Sequence, residues 1–146
     1  MDVLTPAQRK KNMRAIKSKN TMIEELLAKA LRQKGFKYRR NNRGIFGKPD
    51  FTLRRLKIAI FCDSEYFHGK DWDVAKNRIK TNTVFWQNKI EANIERDKLV
   101  NKTLLEDGWK VIRFWGDDIK NKLDFCIENV IDVIETKNSE IHGDKR

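Results

Sequence analysis

Apolar positions along this chain recur with two different periods, and each change of period marks a new element. Ile23, Leu26, Leu27, Ala30 and Leu31 fall at helical spacing and form one apolar face, which Gly35 ends. Thr21 and Glu24 stand at capping-box spacing, so this helix is predicted to begin at Asn20-Thr21. Thr5-Pro6 predicts an earlier, separate helix, since Thr5 can cap and Pro6 suits a first turn. Phe36 to Arg39 alternates as a short strand. Two β-like segments, Phe51 to Leu53 and Leu56 to Phe61, then flank Arg54-Arg55. Ile58, Ile60 and Phe61 make the second mostly apolar, as a buried central strand requires.

From about Thr83 a long helix is predicted to run to Asp107, with Gly108 as its stop. Phe85, Ile90, Ile94, Leu99, Val100, Leu104 and Leu105 mark its inward stripe, which Asn93, Arg96 and Asp97 interrupt. Trp109 to Trp115 alternates as a further strand. A last helix, roughly Ile119 to Thr136, turns Leu123, Cys126, Ile127, Val130, Ile131 and Ile134 inward. This order predicts an α/β fold with a mixed central sheet flanked by helices. A chain of 146 residues suits one core. The expected division is a basic arm over 1–19, a single domain over 20–136 and a flexible tail over 137–146.

The central hairpin carries the candidate chemistry. Its second strand delivers Asp63, Glu65 and His68 in quick succession, and Asp50 begins its first. Hairpin pairing would bring Asp50 close to Asp63. Two converging carboxylates suit a hard divalent cation. His68 could then act as base towards a water. Any one of these acids reads equally well as a solvated loop residue; the set, gathered at one strand end, reads as a site.

Charge narrows the partner. Lys plus Arg number 32 against 21 Asp plus Glu, a net +11, which implies a polyanion, most simply nucleic acid. Arg9, Lys10, Lys11, Arg14 and Lys17 crowd the first helix, and Arg39, Arg40 and Arg43 a polar loop; both could grip phosphates. No apolar run approaches the ~20 residues of a membrane span, and the first residues hold no leader-like apolar core. Cys62 and Cys126 stand alone in apolar segments and read as reduced and structural, which suggests the cytoplasm.

Five segments then fall into a known order: KNMRAIKSKNTMIEELL, GKPDF, IFCDSEYFH, FWQNKIEANIERD and DGWKVIRFW. Together, over roughly residues 8 to 118, they resemble the very-short-patch repair endonucleases, a branch of the PD-(D/E)xK nucleases. The resemblance implies a restriction-endonuclease-like core and a Mg²⁺-dependent endonuclease that works on double-stranded DNA as a monomer. It assigns Asp50 to the metal, the family's helix glutamate to Glu24, the general base to His68 and the residue orienting that base to Asp97. Aromatic wedges that enter the base stack fall on Tyr66, Phe67 and Trp86.

Three departures qualify it. Cys62-Asp63 replaces the family's usual Thr-His, so the second metal contact comes either from the Cys62 carbonyl or from the Asp63 carboxylate. Glu65 and Lys70 stand in the region of the family's structural zinc ligands, so no structural zinc is expected. Tyr66-Phe67 replaces Phe-Trp, which keeps the aromatic character and leaves the preferred mismatch open. The expected activity is nicking at T·G-like mismatches or other specific sites. The alternatives are a related homing or restriction-type nuclease and a non-catalytic DNA-binding module with a degenerate nuclease fold.

Overall fold

The computed structural model describes residues 5–143, with the side chains of residues 9, 12–20, 142 and 143 left out. Its elements are α1 (Pro6–Gln33), β1 (Arg39–Arg40), β2 (Phe51–Leu53), β3 (Ile58–Asp63), α2 (Trp72–Ala75), α3 (Thr83–Glu106), β4 (Lys110–Trp115), α4 (Gly116–Asn121) and α5 (Leu123–Gly143). The strands form one mixed sheet in the order β1-β2-β3-β4. β1, β2 and β3 are antiparallel neighbours, and β4 joins β3 in parallel. A parallel pair needs a crossover, which α3 supplies.

The two faces of the sheet bury different sets. Ile58, Ile60, Phe51, Leu53, Ile112 and Phe114 pack with α1 and α5. Ala59, Phe61 and Trp109 pack with Val100 and Leu104 of α3. Since strand side chains alternate, Asp63 shares the α3 face with Phe61. Between β2 and β3 the chain turns through Arg54–Leu56, and Lys57 takes the left-handed conformation at φ 54°.

Several predicted boundaries change. α1 is one helix of 28 residues, not two. Its cap is Thr5, whose hydroxyl accepts from the Gln8 amide while the Gln8 side chain accepts from the Thr5 amide. No Gly or Pro interrupts residues 7–33. Extending an existing helix adds a hydrogen bond per residue without a new nucleus, which outweighs the capping signal at Thr21. Glu24 is therefore not a capping residue.

The strand predicted over Phe36 to Arg39 shrinks to Arg39–Arg40. Tyr38 instead sits edge-on to Phe51 at 5.1 Å and donates its hydroxyl to the Ala28 carbonyl at 3.1 Å. On α3, Phe85, Leu99 and Leu105 are exposed; burial falls on Ile90, Val100 and Leu104. The last helix is two, parted at Lys122, and the second continues beyond Thr136 to Gly143. Lys137 on this extension donates to the Gly108 carbonyl at 3.3 Å. Among the described residues no helix is long and apolar enough to cross a membrane.

Candidate active site

β3 ends at Asp63, and the chain then coils tightly back against α3. Ser64 starts the turn: its carbonyl accepts from the His68 amide at 3.0 Å. Gly69 lets the turn touch α3. It has φ +67°, and a Cβ there would lie 2.5 Å from Cδ1 of Ile94. Gly69→Ala is thus both strained and crowded. It should lower stability by about 1–3 kcal/mol and slow the nicking expected from the resemblance, because the strained residue adjoins His68 in the chain. Thermal melts beside single-turnover rates would check this; wild-type values of both would contradict it.

The polar interruption of α3 faces this turn. Asn93 donates to the Phe67 carbonyl at 3.0 Å. Asp97 Oδ2 lies 2.7 Å from Nδ1 of His68. A carboxylate there accepts the Nδ1 hydrogen and leaves the lone pair on Nε2. One turn further, Asn101 Oδ1 accepts from Nε of Arg113 at 2.7 Å.

Asp63 is 5% exposed and belongs to the same cluster. Nη1 of Arg113 donates to both of its oxygens, at 3.2 and 3.1 Å. Burial pushes the Asp63 carboxyl above its usual range, against the pull of His68 and Arg113. Ligand atoms of Asp63, His68 and Asp97 lie within 4.8 Å of one another, close enough to hold a cation. Arg113 already brings positive charge to two of the three, since it also lies 3.6 Å from Asp97.

Asp50 keeps separate company. Its Oδ2 accepts from the Cys62 amide at 2.7 Å, across the β2–β3 hairpin. Burial pushes its carboxyl up to about 7, helped by the neighbouring charge of Glu24 and a hydrogen bond shared with it. Asp63 adds a smaller repulsion, so the two aspartates feel each other without sharing partners. Glu24 is half-buried, and Arg40 reaches it at 3.5 Å. Among the described residues no ion pair reaches Asp50. Asp50, which no ion pair reaches, and Glu24, which Arg40 holds only at 3.5 Å, are hard oxygen donors of the kind that fits a divalent metal. The Cys62 thiol is a poor ligand by contrast: burial, then the Asp50 and Glu24 charges, push it far above its ordinary value.

The aromatic residues form a ridge. Tyr66 lies 5.3 Å from Phe67 and 5.7 Å from Trp86, centre to centre. Sequence reasoning placed Phe85 in the core, yet it extends the ridge at 5.4 Å from Trp86, with the Lys89 ammonium over both rings. The ridge borders a cleft of about 1280 Å³ that also takes in Trp72, Arg78 and Lys80.

Of the predicted phosphate contacts, Lys11, Arg39 and Arg43 are exposed. The side chains of Arg14 and Lys17 lie outside the described residues. Arg40 departs from its predicted role: its guanidinium is engaged by Glu24 and Glu25. The reason is one of position, since β1 runs beside α1 and brings the two acids within reach. Sequence reasoning also missed Arg113 and Asn101. The signal was a lone arginine on the inward face of an otherwise apolar strand.

Glu65 and Lys70 are engaged elsewhere. Glu65 accepts from the Asp117 amide at 2.6 Å, fastening the turn to α4. The Lys70 ammonium lies 5.9 Å over the Trp115 ring.

Known proteins resemble this chain throughout. A family model described as DNA mismatch endonuclease Vsr matches residues 1–74. The Type II nicking enzyme V.HpaIIP of Haemophilus parainfluenzae is 55% identical over 130 residues, 88% of this chain and 92% of its own. The Type II nicking enzyme V.NmeDIP of Neisseria meningitidis serogroup C is 48% identical over 137 residues, 94% of this chain and 93% of its own. The DNA mismatch endonuclease Vsr of Escherichia coli K12 is 37% identical over 114 residues, 78% of this chain and 72% of its own. With half of its length matched by the family model and relatives of this closeness, and with a sheet and helices of the PD-(D/E)xK type, the chain belongs to the DNA mismatch endonuclease Vsr family.

Proposed function

We propose that this protein is a Mg²⁺-dependent endonuclease that hydrolyses one phosphodiester bond in one strand of duplex DNA, at a mismatch of the T·G kind within a short sequence. The observation that carries the reading is the pairing of His68 with Asp97, near the carboxyl pair of Asp50 and Glu24. Asp50, the Cys62 carbonyl and Glu24 would hold the metal. Asp63 is the weaker candidate, because Arg113 occupies both its oxygens. When bound there, Mg²⁺ supplies Lewis-acid polarisation of the phosphate and charge neutralisation in the transition state.

The rest of the work falls to the chain's own groups. Asp97 holds the Nδ1 hydrogen of His68, so Nε2 is free to take a proton from the attacking water. Asp97 then stabilises the imidazolium that forms. Tyr66, Phe67 and Trp86, joined by Phe85, would wedge into the stacked bases and prop open a step at the weakened pair. Lys11, Arg14, Lys17, Arg39 and Arg43 would grip phosphates and set the register.

The test uses duplexes labelled on both strands, matched or bearing one T·G pair, in a panel of defined sequence contexts and in random contexts, with Mg²⁺. A nick in one strand of the mismatched duplex supports the reading. Equal cutting of matched duplexes, or cuts in both strands, points to a restriction-type enzyme. Binding without cleavage points to a non-catalytic module.

The arm makes a separate prediction. Replacing Lys10, Lys11, Arg14 and Lys17 with Gln should weaken binding to all sequences alike. It should also flatten the plot of log affinity against log salt by roughly 0.9 for each phosphate no longer neutralised. Fluorescence anisotropy over a salt series reads the slope; an unchanged slope would make the arm a merely solvated helix.

A further inference from the structure

Arg113 stands at the centre of the cluster, yet neither metal binding nor the proton transfer at His68 draws on it directly. Its guanidinium is fixed from three sides. Nε donates to Asn101, the plane lies 4.1 Å over the Phe61 ring, and Nη1 donates to both oxygens of Asp63. Nη2 is buried with no hydrogen-bond partner.

The consequence concerns the histidine. Nδ1 of His68 faces two carboxylates: Asp97 Oδ2 at 2.7 Å and Asp63 Oδ1 at 3.7 Å. One Nδ1 hydrogen can serve only one of them well. Asp63 is the more buried and stands five residues from His68 in the chain. A buried carboxylate without a donor is costly and captures the nearest one. Here that would be the Nδ1 hydrogen, and the imidazole would turn away from Asp97.

We propose that Arg113 is a positioning residue for the nicking reaction: by donating to both oxygens of Asp63 it leaves His68 to Asp97 and so sets the direction of Nε2. The inference rests on His68 being the base, but its first test needs no cleavage. The chain has two histidines, His68 and His142, so nitrogen-15 labelling gives two ring systems, and loss of one set in His68→Gln assigns them.

In the free wild-type protein His68 should show a single ring state with its hydrogen on Nδ1 and a strongly downfield Nδ1 proton. Arg113→Gln should shift or broaden the His68 signals, and Arg113→Lys should restore them in part. The double variant Asp63→Asn/Arg113→Gln should return the wild-type pattern, because the competing anion is gone. That variant also removes the uncompensated buried charge, so it keeps the question answerable should Arg113→Gln alone fail to fold.

In single-turnover nicking of a T·G duplex, Arg113→Gln should lose up to about 10²-fold in rate, the usual effect of a small misplacement, with unchanged DNA affinity. His68 signals unmoved by Arg113→Gln would overturn the proposal. So would a disturbed His68 in the double variant. A rate loss with an unmoved spectrum would contradict it too. Should the spectroscopic result hold while His68→Ala nicks normally, the reading of His68 as base fails and the positioning of the ring stands.

Discussion

Asp50→Asn is expected to abolish nicking and yet to make the protein more stable at pH 8. The carboxyl has an ordinary value of 3.8 and a folded value of about 7, raised chiefly by burial and then by Glu24. Between those two values the unfolded chain has lost the proton while the folded chain retains it. Stability therefore falls as pH rises from about 4 to 7, and is level above that. Asparagine has no proton to lose, and its side-chain oxygen can still accept from the Cys62 amide. The variant should equal wild type near pH 4 and exceed it at pH 8, by on the order of 2–4 kcal/mol at ~1.4 kcal/mol per tenfold change in the proton equilibrium. For a chain of this size that is a rise of several degrees in Tm.

Millimolar Mg²⁺ should raise the wild-type Tm at pH 8 and leave the variant's unchanged, since a ligand stabilises the state that binds it. Both effects come from the feature that would equip Asp50 for its proposed role: a carboxylate held in a half-buried place until a cation arrives. Melting curves at pH 4 and pH 8, with and without Mg²⁺, read the whole pattern. Equal melting of the two proteins at pH 8, or nicking by Asp50→Asn at the wild-type rate, would remove Asp50 from the metal site.

His68→Ala is expected to lower the single-turnover rate by about 10²–10⁴, the usual contribution of a general base. Asp97→Asn should cost less, because an amide can still touch Nδ1 but no longer stabilises the imidazolium. The double variant should be little worse than His68→Ala alone, since groups that act as a unit cannot be removed twice. Asp97 has a competing structural role, because Arg113 lies 3.6 Å from it. Thermal melts separate the two: a lower Tm with an unaltered rate would make Asp97 a structural residue, and additive rate losses would show two independent functions.

The elements that the sequence shows best are those whose pattern is local. The apolar run of β3 and the alternation of β4 each stand in a few consecutive residues, and each is in the structure. The polar interruption at Asn93 and Asp97 is visible too, and its partners are Phe67 and His68. What cannot be read depends on register and facing. Asp50 immediately precedes β2, and Asp63 ends the neighbouring β3. Only the pairing of Phe51 with Ile60, and of Phe61 with Arg113, decides that the first joins Glu24 and the second joins Arg113.

The same holds for charge. Arg40 and Arg113 look alike in a sequence, yet acids of α1 hold the first, and the second is closed in by Asp63, Phe61 and Asn101. Phe85 departs from its predicted place for another reason. Helical periodicity tells which residues share a face, but not where along a 24-residue helix the sheet beneath it stops. The stop comes before Phe85, which leaves that ring beside Trp86 at the cleft.

A metal held at Asp50 and a proton taken by His68 are expected to act together on one strand. The most direct measurement follows single-turnover nicking of one T·G duplex by wild type, Asp50→Asn and His68→Ala, each with Mg²⁺ and then with EDTA, beside binding of the same duplex. Wild type should nick one strand with Mg²⁺ and stop with EDTA. Asp50→Asn should bind but not nick in either, and His68→Ala should nick slowly with Mg²⁺ alone. Nicking that persists in EDTA, or variants that cut as fast as wild type, would contradict it.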